Sequence, residues 1–174
     1  MKPEVRYLPD ADVDDALDQE IRSLFTTCFT GPQDWVFKER RYYKDPYPHR
    51  WVIRDAYGAM VAHVGVHDRE VLADGSSFRI GGMGEVCVHP HHQGRGYVRA
   101  MLLQIHDALT LWGFDFALLF GDPNVYGSSG YLVVHNLLHG EGPPEARVPI
   151  TAMVKELSGK SWPTTKVYLP GQVF

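Results

Sequence analysis

Apolar residues recur along this chain in two rhythms. Leu17, Ile21, Leu24, Phe25 and Cys28 fall three or four positions apart, which places them on one face of an α-helix. Asp14 or Asp18 supplies the N-cap, and Gly31-Pro32 ends the run. A wider stripe of Val98, Met101, Leu102, Ile105, Leu109 and Trp112 predicts a second long helix closed by Gly113. Shorter β-branched and aromatic runs predict strands at Val5–Leu8, Trp51–Arg54, Met60–His67, Phe78–Val88, Phe116–Phe120, Thr151–Leu157 and Lys166–Leu169. Ala56-Tyr57-Gly58 reads as a turn, and Asp74-Gly75 as a hairpin turn. Asp34 to Tyr47 is aromatic-rich and is broken by Pro46 and Pro48; His139 to Pro144 reads as a mobile loop. The resulting order, β-α-α-β-β-β-α-β-α-β-β, implies an α/β or α+β fold with helices on the faces of a single sheet.

Composition narrows the class. The 174 residues suit one domain, residues 1–174, with 44% hydrophobic and 22% charged positions. A net charge of −4 argues against broad nucleic-acid binding. Cys28 and Cys87 show no metal or redox spacing, so a reducing cytoplasm is the expected location. Met1 to Arg6 has no signal-peptide character, and no apolar run approaches the about 18 residues of a membrane span.

The chemistry concentrates in Val86-Cys87-Val88-His89-Pro90-His91-His92-Gln93-Gly94-Arg95-Gly96-Tyr97-Val98. A strand stops at a proline, a glycine-rich turn follows, and a helix begins at once. Such a junction aims several backbone N–H groups and a positive helix end at one point, an anion site suited to a pyrophosphate. Glycines permit close backbone approach there. Gln93-Gly94-Arg95-Gly96 behind this strand resembles the acyl-CoA loop of the GNAT N-acetyltransferases, with Val98 where that family has a small residue. Further along, Tyr126, Gly130 and Tyr131 resemble the same family's Tyr-x-x-x-Gly-aromatic block. Val61 to Gly65, Arg99 to Met101 and the tail around Trp162 resemble nodulation-factor N-acyltransferases (NodA type). Glu85, Tyr126 and the ending Gly171 to Phe174 resemble aminoglycoside 2′-N-acetyltransferases.

The resemblance implies a GNAT fold: a mixed, mostly antiparallel sheet of about six or seven strands, a splayed central pair and helices on both faces. It implies transfer of an acetyl group from acetyl-CoA to a primary amine of a small molecule, such as an amino sugar or aminoglycoside, by direct attack in a ternary complex. Gln93, Gly94, Arg95, Gly96, Tyr97 and Val98 would hold the pyrophosphate, Val86, Cys87 and Val88 the pantetheine arm and thioester carbonyl, and Asn124 with Tyr126 would complete donor binding. Glu85 would act as base toward the amine and Tyr126 as acid toward the departing thiolate. Glu85 also reads as a salt-bridged strand residue, and Tyr126 as packing. The C-terminal carboxylate of Phe174 is a further candidate, set against an edge-strand role. Two rivals stand beside this reading: a longer acyl group delivered by CoA or a carrier protein, and a non-catalytic acyl-CoA sensor. The oligomeric state is open, with a homodimer among the options.

Other signals are set aside. His89, His91 and His92 lack a carboxylate or thiol to complete a metal set, so no metal is expected. Gly159-Lys160-Ser161 has Val154 where a phosphate loop requires glycine, and Ser129 is followed by Gly130 and Tyr131, which breaks a nucleophile elbow. Alternation places Cys87 opposite Val86 and Val88, as core packing rather than as a nucleophile. Trp35, Phe37, Tyr42, Tyr43 and Tyr47 are candidates to line an acceptor cleft, with at least half of them expected in the core.

Overall fold

In the computed structural model, which describes residues 3–174, the chain forms eight strands and three α-helices. The strands are β1 (Val5–Pro9), β2 (His49–Arg54), β3 (Met60–Ala73), β4 (Ser76–Val88), β5 (Phe116–Leu119), β6 (Leu132–Gly140), β7 (Val148–Glu156) and β8 (Val167–Pro170). The helices are α1 (Asp15–Cys28), α2 (Tyr97–Leu111) and α3 (Pro123–Tyr126). The class is mixed α/β, as the pattern implied. The chain divides into two compact units: one runs up to Val66 and resumes over Gly84–Ile105, the other holds His67–Met83 and His106–Phe174. β3, β4 and α2 contribute to both.

In the first unit, the Asp14 carboxylate accepts the Leu17 N–H at 2.9 Å and starts α1. Ile21, Leu24 and Phe25 are then buried with Val36, Phe37, Val52, Met60 and Cys87. Phe25 meets Phe37 and His63 edge-on, at 5.0 and 4.7 Å between centroids. The helix stops at Cys28, before Gly31-Pro32, because Phe29 turns extended while its N–H still closes on Phe25. β1 pairs antiparallel with β2, and β2 antiparallel with β3. The aromatic-rich segment forms one short 3-10 turn over Asp34–Lys38 and no α-helix.

In the second unit, Ile80–Met83 of β4 pairs parallel with Phe116–Leu119 of β5. Parallel neighbours require a crossover, and the chain between them contains α2. β7 pairs antiparallel with β5 and β6, β8 runs parallel to β6, and a Leu72–Tyr168 bridge joins β8 back to β3. Val71, Ile80, Phe116, Leu118, Leu137, Val154, Val167 and Leu169 form this unit's core, with Trp162 and Phe174 against it.

Candidate active site

Gly94 and Gly96 both adopt φ +74°, a region where a side chain is strained, and nothing lies near the place a Cβ would occupy at either. These two residues turn the chain from a 3-10 turn at Pro90–His92 into α2. The first N–H of this stretch with a backbone partner is Ala100, which donates to Gly96 at 3.0 Å; among the described residues, the N–H groups of 94–99 make no such bond. Side chains brace the turn from outside: Gln93 Nε2 donates to the Val88 carbonyl at 3.3 Å, and Arg95 to the His91 carbonyl at 3.2 Å. The histidines pack on one another, His89 lying 5.2 Å from His91 and 5.7 Å from His92 between ring centroids. Unbonded amides at the start of a 15-residue helix can hold an anionic group without any basic side chain.

Glu85 sits in β4, three residues before its end, at φ +45°, an uncommon angle for a residue with a side chain. The kink turns its carbonyl onto the buried His63 ring, Nδ1 to O at 2.8 Å. Burial and the Arg50 charge hold His63 down at a pKa of about 3, so the ring is neutral and Nδ1–H is the donor. The Glu85 Oε1 atom accepts the Tyr43 N–H at 2.7 Å, and the Oε2 atom is buried without a hydrogen-bond partner. Desolvation lifts this carboxyl to a pKa of about 7, against the pull of the Tyr43 N–H, the Arg50 charge and the Tyr47 phenol. A group with that pKa exchanges protons near neutrality, which is what a general base toward an ammonium needs.

Tyr47 is held by the absence of two side chains. A Cβ on Gly65 would stand 2.7 Å from Tyr47 Cδ1, and one on Gly84 would collide with the Tyr47 hydroxyl. Beneath it lies Arg50, fully buried, which donates to the Tyr47 carbonyl at 3.1 Å and pairs with Asp10 at 3.0 Å. Asp10 is shared with Arg41, and Arg41 with Asp18, so the buried charge belongs to an alternating chain of ion pairs. Cys87 is 6% exposed and packs in the first unit's core, while Val86 and Val88 are half-exposed. On its β5 side, the β4 ladder stops at Met83–Leu119, leaving Gly84–Val88 unpaired along that edge.

The second unit carries the other candidates. Tyr126 is half-buried, lies over Gly121 and meets Tyr131 edge-on at 6.3 Å. Burial raises its pKa, so the phenol keeps its proton at neutral pH. Asn124 is exposed and bonded to the Asp122 carboxylate, which caps α3. The Phe174 ring covers Gly82 and lies 5.3 Å from Phe120. Glu85 and residues 86–98 thus share one unit, and Asn124, Tyr126 and Phe174 the other. Sequence reasoning missed Arg50 and His63 as neighbours of Glu85, although an arginine and a histidine inside hydrophobic strand runs were a signal. Of the five aromatics, Phe37 and Tyr47 are buried, Tyr42 and Tyr43 half-buried, and Trp35 58% exposed. Among the described residues, no group of three His, Cys, Asp or Glu side chains is arranged to hold a metal.

A family model described as an acetyltransferase (GNAT) domain matches residues 4–134. No curated protein matches the chain. Among solved structures, the chain is similar to a GNAT family N-acetyltransferase from Escherichia coli in complex with CoA, at 19% identity and a TM-score of 0.69, covering 99% of this chain and 93% of that one. It is similar to a GNAT family acetyltransferase from Brucella melitensis in complex with acetyl-CoA, at 17% identity and 0.62, covering 95% and 96%. It is also similar to the ribosomal-protein-S18-alanine N-acetyltransferase from Escherichia coli, at 15% and 0.55, covering 91% and 97%. At these identities the likeness is one of fold.

Proposed function

Because the chain belongs to the GNAT acetyltransferase family, we propose that it transfers an acetyl group from acetyl-CoA to a primary amine of a small molecule, such as an amino sugar. The observation that carries the donor half is the run of unbonded N–H groups at 94–99, where α2 begins. Those amides, with Gln93, Gly94, Arg95, Gly96, Tyr97 and Val98 around them, would take the donor's pyrophosphate. The unpaired edge of Val86, Cys87 and Val88 would receive the pantetheine arm as an added strand, and one of its N–H groups would polarise the thioester carbonyl.

In this reading Glu85 removes a proton from the acceptor ammonium, the amine attacks the thioester carbonyl, the C–S bond breaks, Tyr126 supplies a proton to the thiolate, and the nitrogen's second proton is passed on to restore the phenol. Asn124 stands near Tyr126 on α3 as a donor-binding residue. Glu85 works only when ionised, so turnover rises with pH through about 7. The test is a free-thiol assay with acetyl-CoA over amino sugars, aminoglycosides, polyamines, amino acids and peptides. One amine class should release thiol, and Glu85→Gln should lower that rate about 10²-fold or more while flattening the limb near pH 7. No heat on titrating coenzyme A into the protein would overturn the donor site; an unchanged limb in Glu85→Gln would overturn the base.

A further inference from the structure

The second unit contains a cavity of about 300 Å³ lined by Leu72, Asp74, Leu138, Pro144, Arg147, Lys166 and Tyr168, with Ala73 and Gly75 completing the wall. That volume lies at the small end of the range for ligand sites. Its floor is rigid. Tyr168 bridges to Leu72, and its hydroxyl donates to the Gly140 carbonyl at 2.7 Å. The Arg147 guanidinium lies flat over this ring, 3.6 Å from Cζ to the centroid.

Arg147 has its Nε buried without a hydrogen-bond partner, and among the described residues no carboxylate forms an ion pair with its guanidinium. A buried donor left unpaired carries a free-energy cost that a bound acceptor relieves. Lys166, exposed in the lining, likewise has no acidic partner among the described residues. The one acid in the lining, Asp74, is engaged by the Thr165 hydroxyl at 2.6 Å. Two cations against one anion leave a single net positive charge, beside an apolar wall of Leu72, Leu138 and Pro144.

We propose that this cavity is a second ligand site, taking a small monocarboxylate with a flat apolar body. Arg147 would grip the carboxylate through its planar fork while Lys166 adds a point charge, and the body would lie against Leu72 and Leu138. A phosphate matches less well, since its second negative charge would face Asp74 with no cation left to balance it. The site is independent of the acyl-transfer reading and uses none of its residues.

The test is an NMR-detected titration of the full chain with benzoate, repeated with inorganic phosphate. Saturable shifts at Leu72, Leu138 and Tyr168 are expected, with a dissociation constant on the order of 1 mM and weaker binding of phosphate. Arg147→Met should weaken benzoate at least tenfold, and Arg147→Lys should restore part of it. Lys166→Met, at an exposed position, should fold normally and weaken benzoate several-fold, which keeps the test decisive if Arg147→Met unfolds. Absence of shifts at these residues, undiminished benzoate binding in either methionine variant, or tighter binding of phosphate than of benzoate would each overturn the proposal.

Discussion

A carboxylate at φ +45° that is also stripped of water carries a conformational cost and an electrostatic one. The second cost has a definite sign. Glu85 holds its proton to about pH 7 in the folded chain and only to about 4.5 in the unfolded one, so the native state binds more protons between these values. Stability therefore falls as pH rises from about 4.5 to about 7, and stays lower above that. Glu85→Gln, which cannot ionise, should have the higher melting temperature at pH 8 and nearly the parent's at pH 4, read by calorimetry. Tyr126→Phe separates the roles of the phenol: proton donation predicts a turnover loss of about 10²-fold at saturating substrates, and packing predicts little change. Glu85 could be picked out in the sequence because it abuts a local motif. Arg50 and His63 were signalled only as polar residues in apolar strand runs, and their place beside Glu85, like that of Tyr47, could not be read, since 22 to 38 positions separate them from it and the β2–β3–β4 order and two glycines bring them together.

At the scale of elements, strong periodicity was readable and weak periodicity was not. α1 and α2 lie where the stripes put them, and the Asp74-Gly75 hairpin joins β3 to β4. β3 runs to Ala73, past the expected end at His67, because Asp68, Arg69 and Glu70 mask a continuing alternation that buries Val71 and Ala73. β6 was not anticipated at all: its register shifts between Val134 and Leu137, which breaks the period of two that marks a strand. Elements also depend on what they leave out. Gly65→Ala on β3 would push a methyl into the Tyr47 ring and should destabilise the fold by about 1–3 kcal/mol in chemical denaturation. Asp10→Asn, just after β1, would strand the fully buried Arg50 charge beside the like charge of Arg41, which keeps Asp18, and should cost about 3 kcal/mol by the same measurement.

For the molecule as a whole, the fold was legible because two short motifs in the right order identify it even where 15 to 19% identity leaves little else to align. The acceptor was not legible: a loop of glycines and amides is recognised by its backbone, whereas selectivity for an acceptor lies in side chains that differ between relatives at such distances. One feature bears on behaviour outside catalysis. A strand rim left without a neighbouring strand, as at Gly84–Val88 past the end of the β5 ladder, is a template to which an extended peptide can adhere, including the same stretch of a neighbouring molecule. Vacant protein should therefore turn cloudy on warming at lower temperatures than protein supplied with coenzyme A, by more than its change in melting point explains. Light scattering during a slow heating ramp would register that gap, and a donor lying on that edge, as proposed, would double as the molecule's guard against clumping.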